Sequence, residues 1–76
     1  MSRWSPCKRK DVMTKLKKLG YTGPYPGGNH EYLIRNTNRL TLFSNTEFSV
    51  NQIRLLLREA SAHVGRKIEL EEWVNL

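Results

Sequence analysis

The run Gly27-Gly28-Asn29-His30 is the part of this sequence whose residue types and spacing allow chemistry. An imidazole has an unperturbed pKa of roughly 6.5, so it can exchange protons near neutral pH. RNA carries its own nucleophile, the 2′-hydroxyl beside each phosphodiester. A protein that cuts RNA therefore needs a group to move protons, cations to hold the phosphate charge and a surface that orients the strand. His30 supplies the first. Gly27 and Gly28 lack a Cβ, so a phosphate can approach their backbone, and successive amides there suit an anion-binding nest. Asn29 offers a side-chain amide. Arg35 and Arg39 flank the next turn and suit bidentate phosphate binding. The plain alternative for His30 is an ordinary polar residue at a strand start.

Other chemistries find little support. Cys7 is the lone cysteine, and His30 and His63 are the two histidines. There is no His-x-x-x-His and no carboxylate cluster, so metal ligation by several nitrogen or sulfur atoms is not expected, and no cofactor is implied. "GPYPGG" lacks the "GK[ST]" that closes a P-loop. No serine or cysteine is spaced with a base and an orienting group. His63 follows the second helix and suits the negative end of its dipole.

The elements that must position these residues belong to one small domain. The chain has 76 residues, enough for a single domain over 1–76 with a thin core. The core spans about 6–62, with 63–76 as a C-terminal extension. No apolar run spans a membrane, the basic N-terminus has no apolar segment behind it, and a single cysteine cannot form an internal disulfide. These features together lead to the expectation of a cytoplasmic protein without membrane contact. The net charge is +6, and residues 1–20 hold seven basic residues against Asp11 alone. The remainder is balanced, with six of each sign. A local positive field attracts polyanions, nucleic acid first among them.

Ser5 as N-cap and Pro6 at the first position predict a helix that ends at Gly20. Val12, Leu16 and Leu19 form its apolar stripe, and Lys10, Thr14 and Lys17 face away from it. Residues 21–28 predict a short, irregular or edge strand, because Pro24 and Pro26 cannot donate to a ladder. His30–Arg35 and Arg39–Phe43 predict a hairpin around Asn36–Asn38. Ser49 and Gln52 form a capping box for a second helix. Its apolar face comprises Val50, Ile53, Leu56, Leu57 and Ala60, while Leu55 falls off that face. Gly65 breaks the pattern, and a short helix closes the chain, with Trp73 expected over the core opposite Trp4. The fold class is α+β, two helices on one face of a three-stranded antiparallel sheet, in the layout of the double-stranded-RNA-binding domain.

The segment "KDVMTKLKKLGYTGPYPGGNHEYLI", with "SVNQIRLLLREA" after a basic strand, resembles the HicA family of toxins. The resemblance covers roughly residues 6 to 73, and "GRKIELEEW" is similar to an extension found in one subgroup. It implies a small bacterial endoribonuclease (an mRNA interferase) with a double-stranded-RNA-binding-like fold. The family's hallmark, a glycine, a small polar residue and the catalytic histidine, falls on Gly28, Asn29 and His30. It implies mRNA as substrate and a HicB-like antitoxin as partner. Asn29 stands where the commonest members have serine, and "SNTEFSVNQ" lacks the Pro-x-His and Gly-Thr that many carry. Beside Gly28 and Asn29, the RNA contacts expected are Lys10, Lys17, Arg35 and Arg39. The rival readings are a non-catalytic RNA-binding module of the same fold and a protein-interaction domain whose lysines serve solubility.

Overall fold

A computed structural model describes residues 3–76. The chain is an α+β protein. Its elements are β1 (Cys7–Lys8), α1 (Arg9–Lys18), β2 (Thr22–Tyr25), β3 (Tyr32–Arg35), β4 (Asn38–Thr41), β5 (Glu47–Phe48), α2 (Val50–Val64) and α3 (Leu70–Val74). Strands β2, β3 and β4 form an antiparallel sheet in that order, and β1 pairs antiparallel with β5. Among the described residues, no helix is long and apolar enough to cross a membrane.

The first helix starts later than its capping signals indicate. Ser5 and Pro6 do not begin it. Cys7 and Lys8 are extended, paired with Phe48 and Glu47, and Lys8 is an N-cap without a side-chain hydrogen bond. The buried Phe48 anchors this short ladder, and the Arg9 N–H continues it by donating to the Thr46 carbonyl at 2.8 Å. A non-local pairing thus overrides a local cap. From Arg9 onward the helix follows its stripe, with Val12 and Leu16 buried and Leu19 half-buried. Gly20 follows with φ +102°, the left-handed geometry that suits glycine at a helix end.

The hairpin is tighter than its sequence signals suggest. β3 begins at Tyr32, two residues after His30, and β4 runs from Asn38 to Thr41. Arg35 pairs with Asn38, leaving Asn36 and Thr37 as a two-residue turn. Asn36 takes φ +55°, which asparagine tolerates. Leu33 opposes Leu40 across the ladder and both are fully buried. That face lies in the core with Leu16, Leu42, Ile53, Leu57 and Ala60. Tyr32 and Ile34 point to the other face, where the Arg39 guanidinium sits 3.9 Å from the Tyr32 ring centroid.

The second helix follows its signals. Ser49 and Gln52 exchange both capping-box hydrogen bonds, and Gly65 ends the helix at φ +89°. Ile53, Leu56, Leu57 and Ala60 are buried, and Leu55 is 52 % exposed. Trp73 is buried, with the Lys15 ammonium 5.2 Å from its ring centroid and donating to the Trp73 carbonyl at 2.9 Å. Trp4 packs against the same core. It lies over α2, where the Arg54 guanidinium is 5.8 Å from its ring.

Candidate active site around His30

His30 belongs to a turn rather than to a strand. Its N–H donates to the Gly27 carbonyl at 3.0 Å, closing Gly27–His30 into a tight turn. The alternation of β3 therefore does not set its direction. The side chain is exposed, and Nδ1 lies 2.9 Å from the hydroxyl of Ser44. Nε2 makes no hydrogen bond among the described residues.

Two shallow depressions meet at this ring. One, about 350 Å³, is lined by the turn from Pro26 to Glu31. The other, about 250 Å³, lies between β4 and α2, where His30 shares the lining with Leu55 and Glu59. An imidazole nitrogen open to solvent and a carboxylate therefore border one concave patch.

The glycines divide in role. A Cβ on Gly27 would stand 2.9 Å from the Tyr32 ring and 3.0 Å from the His30 carbonyl, so packing inside the protein requires glycine there. A Cβ on Gly28 would meet nothing, and Gly28 has no left-handed φ. Neither packing nor backbone geometry within the chain demands glycine at position 28, which leaves the approach to the Gly28–Asn29 backbone open. Asn29 is exposed beside it.

Arg9 braces the site from beneath. Its guanidinium pairs with Glu31 at 2.5 Å and donates to the Phe43 and Asn45 carbonyls at 2.5 and 3.3 Å. One side chain thus ties the residue after His30 to both neighbours of Ser44. Gln52 adds a hydrogen bond to the Asn45 side chain at 3.2 Å. These ties span 22 and 34 residues of sequence in the case of Arg9, so no local motif announces Arg9, Ser44 or Glu59 as part of the site.

Of the cations singled out from the sequence, Lys10, Lys17 and Arg39 are exposed. Arg35 is not available in the way its position suggests. Its Nε donates to the Leu19 carbonyl at 3.0 Å and its Nη1 to the His63 carbonyl at 3.1 Å. It joins the C-terminal ends of α1 and α2, where the helix dipoles favour a cation. His63 sits in the last turn of α2, as its position suggests, and bonds through Nδ1 to the Tyr21 hydroxyl at 2.8 Å. Burial pushes the Tyr21 phenol up to about 12. Cys7 is half-buried, and its thiol is also raised by burial. Among the described residues, no group of three His, Cys, Asp or Glu side chains is placed to hold a metal ion.

Fold and site together define a small α+β protein with an open histidine on a turn, steadied by a serine and sharing a depression with a carboxylate. Compared with protein-family models, with curated proteins and with solved structures, the chain matches none.

Proposed function

We propose that this protein is an endoribonuclease of the HicA type, the toxin of a toxin–antitoxin pair, which cuts mRNA with His30. The helices and the three-stranded sheet are read as the double-stranded-RNA-binding-like layout of that family. The observation that carries the reading is the state of the His30 ring: exposed, with Nδ1 held at 2.9 Å by a hydroxyl and Nε2 open.

The choice of a hydroxyl partner matters. A serine hydroxyl can accept from Nδ1–H or donate to a bare Nδ1. It orients the ring without fixing the tautomer, so Nε2 can present either a lone pair or a proton. With its proton on Nδ1 held by the hydroxyl oxygen, the ring offers the Nε2 lone pair as a base, and the imidazolium that forms can return that proton from the same nitrogen. In the reaction, Nε2 takes the proton of the 2′-hydroxyl, whose oxygen attacks the adjacent phosphorus. The bond to the 5′-oxygen breaks, that oxygen takes the proton back from the His30 imidazolium, and a 2′,3′-cyclic phosphate remains. Glu59, on the same depression, is the group best placed to share the proton traffic. Gly28 and Asn29 receive the phosphate, while Lys10, Lys17 and Arg39 hold the flanking strand by charge. Arg35 serves the fold instead. Because the ribose supplies the nucleophile, the mechanism needs no metal.

An exposed catalytic ring can be silenced by covering it. A HicB-like antitoxin with an acidic face would do so without reshaping the toxin, and that complex weakens as salt rises. The deciding experiment compares wild type, His30→Ala and Glu59→Gln on a long RNA in EDTA. Wild type cuts, His30→Ala loses about a hundredfold or more, and Glu59→Gln is slowed less. Equal cutting by wild type and His30→Ala removes the mechanism. Salt-sensitive binding without any cutting would establish the RNA-binding module instead.

A further inference from the structure

A second concave surface lies beyond Leu55. It is a groove of about 730 Å³ between the outer face of α2, the N-terminal segment at Trp4 and the turn that leads into α3. Its walls carry Arg54, Arg58 and Lys67, and its floor includes the buried Leu57 and Ile68. We propose that this groove binds single-stranded RNA, with Trp4 as a base-stacking platform and Arg54, Arg58 and Lys67 as phosphate contacts. The substrate class rests on the RNA reading of the His30 site.

Four observations carry the assignment. First, residues 21–76 are neutral in sum, yet three of their six cations line this one groove. Arg54 and Arg58 are four apart on a helix, where like charges repel. Arg58 has no hydrogen bond or ion pair among the described residues, and Arg54 has only the Trp4 ring. The carboxylate present, Glu69, meets Lys67 at 3.8 Å with both side chains exposed, a pair that solvent weakens. The two arginines are thus left without a carboxylate partner.

Second, Trp4 is half-buried with the Arg54 guanidinium 5.8 Å from its ring centroid. An indole is a flat surface on which a base can stack, and the guanidinium beside it can meet the same strand. Third, the groove is bordered by helix surfaces and a turn, and β2, β3 and β4 contribute no residue to its lining. A protein strand would find no sheet edge to extend, whereas a nucleic-acid strand needs only cations and a stacking face. Fourth, Leu55 lines both this groove and the depression at His30. A strand leaving the reaction site crosses Leu55 and enters the groove without leaving the surface.

The probe for the test is a 2′-O-methyl oligouridylate of about eight nucleotides, within the site size of small single-strand binders. It lacks the nucleophile and so survives in contact with an active enzyme. Trp73 is 4 % exposed, so quenching of tryptophan emission by the oligonucleotide reports on Trp4. Quenching is expected in wild type and lost in Trp4→Phe. Trp4→Ala weakens binding about tenfold. The triple variant R54Q/R58Q/K67Q lowers the slope of log affinity against log salt by about two. Binding without quenching, together with an unchanged salt slope in the triple variant, overturns the proposal. So does quenching by polyglutamate with none by the oligonucleotide, which would make the groove a protein site. Cleavage of long RNA is scored separately. A protein that quenches but does not cut loses the enzyme reading and keeps the groove; one that cuts without quenching does the reverse.

Discussion

The Ser44 hydroxyl holds His30 Nδ1 at 2.9 Å across fourteen residues of sequence. Removing that hydroxyl leaves the ring free to turn. Ser44→Ala is expected to slow RNA cleavage about fivefold, the rate equivalent of about 1 kcal/mol of lost hydrogen bonding. Ser44→Asp tests the tautomer argument. A carboxylate holds the proton on Nδ1 and favours imidazolium, so the acidic limb of the pH–rate profile should move to higher pH. A Ser44→Asp profile that coincides with wild type would show that the hydroxyl does not steer the ring.

The two glycines before Asn29 should behave oppositely. Gly27→Ala forces its Cβ to 2.9 Å from Tyr32, and thermal unfolding should show a loss of about 1 to 3 kcal/mol, the usual range for overpacking. Gly28→Ala meets only open space. It should unfold like wild type and yet cut RNA more slowly, because the added methyl stands where the proposed mechanism puts the phosphate. Full activity in Gly28→Ala would remove Gly28 from the site.

Arg35 should prove to be a structural residue. It donates to Leu19 and His63 carbonyls at the ends of two helices. Arg35→Met keeps much of the stem and loses both charge-assisted hydrogen bonds, each worth about 1.5 to 3 kcal/mol. Urea denaturation should register a loss of that order. RNA affinity, measured where the variant remains folded, should keep its wild-type salt slope, whereas a phosphate ligand would lower it.

Tyr21 gives the fold a limit at alkaline pH. Burial raises its phenol from 10.0 to about 12. The neutral form is the one the folded state favours, so this contribution is complete below pH 10 and falls away as pH rises toward 12. Over that window the loss is on the order of 2 kcal/mol. Chemical denaturation at pH 9 and at pH 11 should show it in wild type. The Tyr21→Phe variant should decline less over the same interval, and an equal decline would assign the effect to other groups.

The sequence alone determined what is governed over a few residues. The capping box at Ser49 and Gln52, the end of α2 at Gly65, the buried stripe of Val12 and Leu16, and the turn after Arg35 are set by 3.6-residue spacing, caps and backbone preference. The same local rules put His30 at the start of a strand, whereas it sits in the turn closed by the Gly27 carbonyl and the strand begins at Tyr32. They failed at Ser5 and Pro6, because pairing of Cys7 with Phe48 competes with the cap and the buried phenylalanine decides the outcome.

What only tertiary structure decided is which groups meet. Ser44 reaches His30, Arg9 ties Glu31 to the loop around Ser44, and Arg35 turns inward to two helix ends instead of outward to a phosphate. Glu59 comes to the histidine's depression, and Trp4 and Lys67 join the α2 pair Arg54 and Arg58 around one groove. These contacts close loops of many residues, and the free energy that closes them comes from burying Leu33, Leu40, Phe48 and Ile53 together. The polar partners arrive with the core that carries them, so their spacing along the chain bears no trace of the meeting.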